Sequence, residues 1–270
     1  MTNTRSVASI DGISISYRDR GTGAVVVFIH GHPFDQSMWD QQVEALSWKY
    51  RVITLDLRGY GASEVPNVEI ATLETMAADI KGLLDHLGIK KAVLVGLSMG
   101  GQVAMAFSDL FPERLAGLVL AGTFAEADTP EAAVARRDTA DRFLNEGSVL
   151  PGGEMLPRLL AHTSLKRDPE LAVMVFKMIA NAPPGGAAAA LRGRALRKDY
   201  LPTLRRLTVP ALIMVGTHDK FSPLERAQQM QEAIPSARLV VFDEVGHMSN
   251  LEAPDRFNAS LHEYLESIPR

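Results

Sequence analysis

An α/β fold with a mostly parallel, doubly wound sheet is predicted by three features of this 270-residue chain. Short β-branched apolar runs recur along it, each closed by glycine, aspartate or proline. The runs are continuous rather than alternating, which marks strands buried on both faces, as in a parallel sheet. Amphipathic stretches of helical spacing lie between them and give the right-handed βαβ rhythm of a doubly wound sheet.

The elements follow in order. Residues 7–10 and 13–17, split by Asp11-Gly12, read as an antiparallel hairpin at the sheet edge. Buried strands are expected at 25–29 and 52–55, with a helix over 38–46 between them. A helix over 73–87 precedes a strand at 92–95, and a helix over 99–111 precedes a strand at 118–120. The last strands, 211–215 and 239–242, are separated by a helix over 224–234, and a helix over 254–268 follows. Apolar spacing supports each helix. Between Gly122 and Pro210 more than 80 residues show no convincing strand; they are rich in alanine, leucine and arginine, with a Pro183-Pro184-Gly185-Gly186 break. A structureless loop of that length is improbable in a compact domain. The segment 124–206 is therefore read as a helical cap inserted after the sixth strand, and 1–123 with 207–270 as the core domain.

The chain contains no cysteine, which excludes a disulfide framework, a thiolate metal site, an iron–sulfur cluster and a cysteine nucleophile. With 28 basic against 32 acidic side chains, there is no electrostatic footprint for a nucleic-acid partner. The first 16 residues lack the apolar core and cleavage pattern of a secretory signal. No apolar run approaches the roughly 20 residues of a membrane helix. A cytoplasmic protein without a membrane partner is expected, and a homo-oligomer is compatible with it.

Gly96-Leu97-Ser98-Met99-Gly100 stands between a predicted strand and a predicted helix. This G-x-S-x-G turn leaves a serine hydroxyl exposed at a helix N-terminus, and its glycines allow a bend where a Cβ would clash. Ser98 is the candidate nucleophile. A serine hydroxyl needs a base, and His247, in Val245-Gly246-His247-Met248 after the last strand, lies where open parallel sheets place catalytic groups. The orienting acid is sought in the same place. Asp219 follows the strand at 211–215, standing 121 residues after Ser98 and 28 before His247. Asp243 and Glu244 read as solvated turn residues, and Glu126 or Asp128 is a less favoured alternative. An oxyanion needs backbone donors, for which the N–H groups of Met99 and of His32 in His30-Gly31-His32-Pro33 are the candidates. His30 reads as structural, its ring bonded to nearby backbone. Phe34, Phe124, Phe221 and Met248 are the candidate substrate-binding side chains.

These motifs resemble those of the α/β-hydrolase superfamily over nearly the whole chain outside the insertion. The matching pieces are His30-Gly31-His32-Pro33, Asp56-Leu57-Arg58-Gly59-Tyr60-Gly61-Ala62-Ser63, Gly96-Leu97-Ser98-Met99-Gly100-Gly101, Gly216-Thr217-His218-Asp219 and Gly246-His247. The chain order Ser, Asp, His is that family's order. Within the superfamily the elbow and Leu118-Val119-Leu120-Ala121-Gly122-Thr123 look most like 3-oxoadipate enol-lactonases, carboxylesterases and cofactor-free haloperoxidases or perhydrolases. The resemblance implies an α/β-hydrolase fold with Ser98 as nucleophile, His247 as base, Asp219 as acid, and His32 with Met99 as oxyanion donors. It further implies a small ester or lactone substrate, with no cofactor and no metal. Dehalogenases and epoxide hydrolases carry aspartate at the elbow. Many C–C bond hydrolases carry a Ser-Gly-Pro-Gly extension at the oxyanion loop that is missing here. The non-enzymatic alternative is a hydrolase-fold ligand receptor.

Other readings of the motifs are weaker. After His30-Gly31-His32 the aspartate of a metallohydrolase zinc site is displaced, since Phe34 and Asp35 follow Pro33, and the third histidine is absent. The glycine run from Asp56 to Ser63 lacks the lysine and spacing of a phosphate cradle and reads as a structural turn, with Arg58 bonding neighbouring loops. In the insertion Leu156, Leu159, Leu160, Met174, Phe176, Met178 and Ile179 read mostly as packing. Arg192, Arg194, Arg197 and Lys198 form a basic cluster, read as mostly solvated. One of its members is available to a substrate carboxylate, as a dicarboxylic lactone would require.

Overall fold

The computed structural model describes residues 5–234 and 236–268. Its strands are β1 (Ser6–Ile10), β2 (Ile13–Arg20), β3 (Val25–Ile29), β4 (Arg51–Leu55), β5 (Ala92–Leu97), β6 (Leu115–Ala121), β7 (Ala211–Gly216) and β8 (Arg238–Phe242). They form one sheet in the order β1-β2-β4-β3-β5-β6-β7-β8. The hairpin β1–β2 joins β4 antiparallel, and every pairing from β4 to β8 is parallel. The hairpin turns at Asp11 and Gly12, whose φ values of 49° and 81° are the left-handed pair of a two-residue hairpin loop.

The helices are α1 (Asp40–Leu46), α2 (Leu73–His86), α3 (Met99–Leu110), α4 (Pro130–Glu146), α5 (Val149–Leu159), α6 (His162–Arg167), α7 (Pro169–Ala180), α8 (Pro184–Arg194), α9 (Leu201–Leu204), α10 (Leu224–Ala233), α11 (Ser249–Glu252) and α12 (Pro254–Ser267). Alternate strand residues serve opposite faces of the sheet. Val27, Ile29 and Leu94 pack with Ile80, Val103 and Met230 of α2, α3 and α10. Val26, Phe28 and Val95 pack with Val43, Phe257 and Leu261 of α1 and α12. Burial on both faces is what the unbroken apolar runs require.

Four details depart from expectation. β6 begins at Leu115 and passes through Gly117, where the Tyr264 hydroxyl lies 2.5 Å from the position a Cβ would take and accepts the Leu118 N–H at 3.0 Å. The strand expected to be buried at 239–242 is the edge strand β8, with Val241 41% exposed, because β7 alone pairs with it. Residues Gln36–Trp39 make a 3₁₀ turn, capped by the Asp35 carboxylate, before α1 begins. Pro183-Pro184-Gly185-Gly186 is a helix start rather than a break, with Pro184 in the first turn of α8, where its missing N–H costs nothing. Helices α4–α9 lie in the interval between β6 and β7, and α8 packs against α4 and α2.

Candidate active site

Ser98 joins β5 to α3 with φ 56° and ψ −117°, a conformation that costs a non-glycine residue about 1–3 kcal/mol. The surroundings hold it there. Its N–H donates to Ala121 O at 2.9 Å, and the Thr123 hydroxyl donates to its carbonyl at 2.7 Å. A Cβ on Gly96 would lie 2.3 Å from Gly100 O, and one on Gly100 would lie 2.1 Å from Ile29 O, so the tight elbow excludes side chains at both positions. Met99 opens α3, and its N–H, like that of His32, has no acceptor among the described residues.

Asp219 follows β7 and His247 follows β8; both are buried. His247 Nδ1 lies 3.0 and 2.9 Å from the two carboxylate oxygens of Asp219. Oδ1 also accepts the N–H groups of Phe221 at 2.8 Å and Ser222 at 2.9 Å. With only an acceptor facing it, Nδ1 carries the proton of the neutral ring and Nε2 keeps its lone pair. Gly122, at φ 49°, lets the β6 end approach this pair: a Cβ there would lie 3.2 Å from Asp219 Oδ2. The other acids considered are engaged elsewhere. Asp128 pairs with Arg136 and Arg197, and Glu126 with Arg226.

Ser98, His32 and His247 line one cavity of about 370 Å³, walled by residues of α4, α5 and α8. Phe124 and Phe221 line it as well. Phe34 and Met248 do not: both turn into the apolar layer around Trp39 and Val245, and neither exceeds 1% exposure. In the insertion Leu159, Leu160, Met178 and Ile179 are buried, whereas Met174 is 40% exposed. Leu159 serves both core and cavity.

His30 is bound through both ring nitrogens. Nε2 accepts the Leu57 N–H at 2.9 Å, which places the proton on Nδ1, donating to Gly31 O at 2.8 Å. Burial lowers the pKa of His30, and that of His32 falls well below the ordinary histidine value through burial and the nearby Arg194 and Arg136. The run from Asp56 to Ser63 is organised by the Asp56 carboxylate, which accepts from the Gln36 N–H (2.8 Å), the Gln36 side chain (2.9 Å) and the Ala62 N–H (2.9 Å). Arg58 reaches helix α2 rather than a loop, pairing with the buried Asp79. The basic cluster is not mostly solvated. Arg194 and Arg197 are buried, and Arg192 pairs with Asp141 at 2.7 Å. Lys198 pairs with Asp109.

A family model described as "alpha/beta hydrolase fold" matches residues 24–254. The chain belongs to this family. The 3-oxoadipate enol-lactonase 1 of Acinetobacter baylyi is 28% identical to this α/β hydrolase, over 95% of this chain and 94% of that protein. Among solved structures, a thermophilic esterase from Thermogutta terrifontis, with malate bound, is 41% identical with a TM-score of 0.94, covering 97% of this chain and 98% of that one. An enol-lactonase from Burkholderia xenovorans LB400 is 30% identical with a TM-score of 0.90, covering 97% and 100%. No helix among the described residues of this α/β hydrolase is long and apolar enough to cross a membrane.

Sequence reasoning missed Glu252. Only 2% exposed, its carboxylate accepts the N–H groups of Ala161 (2.8 Å), Gly246 (3.0 Å) and Met248 (3.1 Å). It thereby ties both neighbours of His247 to the segment joining α5 and α6. No local signal marks such a residue, since the Ala161 partner is 91 positions away.

Proposed function

We propose that this protein is a serine hydrolase of small carboxylic esters or lactones, working through an acyl-enzyme on Ser98. The observation that carries the reading is the meeting, on one cavity, of Ser98, the Asp219-bound His247, and the loops bearing the unpartnered N–H groups of His32 and Met99. His247 Nε2 takes the hydroxyl proton as Ser98 Oγ attacks the carbonyl carbon. The oxyanion of the tetrahedral intermediate accepts from the two N–H groups. Asp219 stabilises the imidazolium, which then protonates the leaving alkoxide; water activated by the same imidazole releases the acid and restores Ser98. The scheme needs no cofactor. Residues 124–206 act as a cap whose helices α4, α5 and α8 set the substrate range. The names and close similarity of the Thermogutta terrifontis esterase and the Burkholderia xenovorans enol-lactonase support ester and lactone chemistry.

Ser98→Ala tests this directly. Hydrolysis of p-nitrophenyl esters and of an enol-lactone is expected to disappear while the circular dichroism spectrum and Tm stay those of the parent. A fluorophosphonate is expected to label the parent and not the variant. Turnover retained by Ser98→Ala would overturn the mechanism.

A further inference from the structure

The charged residues lining the cavity are Arg136, Arg158 and Arg194, with no aspartate or glutamate among the lining residues. Their charges are differently placed. Arg136 is matched by Asp128, at 2.6 and 2.9 Å. Arg197, the neighbour of Arg194, takes the same carboxylate at 2.8 Å. Arg158 is exposed and lies over the Phe221 ring, 4.4 Å from its centroid. Arg194 is 7% exposed, donates from Nε to Gln102 Oε1 at 3.0 Å, and has no ion pair among the described residues. A guanidinium stays charged in a protein, so burying it without a counter-ion is expensive. An anion in the cavity would offset that cost.

His32 supplies a second donor. Its Nδ1 lies 2.7 Å from the Tyr60 hydroxyl, which has no other partner among the described residues. The Tyr60 proton therefore goes to Nδ1, and the ring proton of the neutral imidazole sits on Nε2. That Nε2 is buried without a partner. One unmatched guanidinium and one neutral N–H suit a monoanion with two acceptor oxygens.

We propose that the cavity selects an ester or lactone carrying a free carboxylate, held between the Arg194 guanidinium and the His32 Nε2–H. This inference rests on the hydrolase reading above. It assigns the carboxylate to Arg194 and leaves Arg192 and Arg197 to their own ion pairs.

The test compares monomethyl with dimethyl succinate, glutarate and adipate. The parent enzyme is expected to favour at least one monoester over its diester by about tenfold or more in kcat/KM, mainly through KM, a factor worth about 1.4 kcal/mol. Arg194→Gln is expected to bring that ratio near one, and Arg194→Lys to restore part of it. Calorimetry of succinate, glutarate and adipate binding to Ser98→Ala gives a readout without turnover and serves if the Arg194 variants do not fold. Binding of one of the three, weakened by salt, supports the site. Ester turnover with no monoester preference, together with no dicarboxylate binding or with binding of inorganic phosphate alone, overturns the carboxylate site and leaves the hydrolase reading intact. Dicarboxylate binding with no ester turnover overturns the hydrolase reading and leaves the site.

Discussion

Asp219 shows how much one side chain is asked to do. Its Oδ1 accepts two backbone N–H groups while both oxygens face His247 Nδ1. Asparagine keeps the shape but offers one oxygen and one NH2. If the oxygen stays on the Phe221 and Ser222 N–H groups, the NH2 faces the imidazole and favours the wrong tautomer. Asp219→Asn is expected to lower kcat for ester hydrolysis by about 10⁴ with little change in Tm. A loss of less than tenfold would assign the acid role elsewhere. The triad candidates were legible because each sits in a short local pattern after a strand. Phe34 and Met248 lie outside the cavity lining, since proximity in sequence to His32 or His247 does not fix the direction of a side chain.

At the scale of elements, the contact between α8 and the turn after β4 is set by two glycines. A Cβ on Gly186 would lie 1.8 Å from Gly59 O, which is backbone and cannot swing away. Gly185, one residue earlier in the same helix, would place its Cβ 3.8 Å from Val65 Cγ1, an ordinary contact. Gly186→Ala is expected to destabilise the protein by about 2 kcal/mol or more through overpacking. Gly185→Ala is expected to be neutral or stabilising by up to about 1 kcal/mol, by reducing unfolded-chain entropy. Urea unfolding of the pair checks this, and equal effects would mean that α8 does not seat on that turn. In the sequence the two glycines look alike, and only the packing separates them.

At the scale of the whole molecule, the two buried histidines link folding to pH. Both His30 and His32 have folded pKa values below the reference of 6.5, with burial as the first cause. Above that value neither state binds the protons; below it the unfolded chain binds them and the folded protein resists. Stability therefore rises with pH through this range and is lost as pH falls below about 6.5, at roughly 1 kcal/mol per histidine per pH unit. Urea midpoints measured from about pH 7.5 down to about pH 5 are expected to fall as pH falls, and a flat profile would mean that both rings accept a proton in place. Asp128 adds a loss at lower pH. Burial opposes its charge, yet hydrogen bonds from Arg136 and Arg197 hold its carboxyl far below the usual carboxylate range. That stability is present above the ordinary carboxylate pKa and fades under more acid conditions.

The mostly parallel sheet and the tight strand–turn–helix at Ser98 were legible in the amino-acid order alone, because they depend on periodicity and on glycines within a few residues. That order also placed a strandless segment between β6 and β7, since buried strands announce themselves by unbroken apolar runs. Which arginine keeps an unmatched charge is settled by packing and not by order along the chain. Asp128 can serve Arg136 and Arg197 at once. Arg194 is left facing the cavity, and that allocation depends on distances between helices far apart in sequence. The same holds for Glu252, whose buried carboxylate joins segments that meet only after the chain has folded.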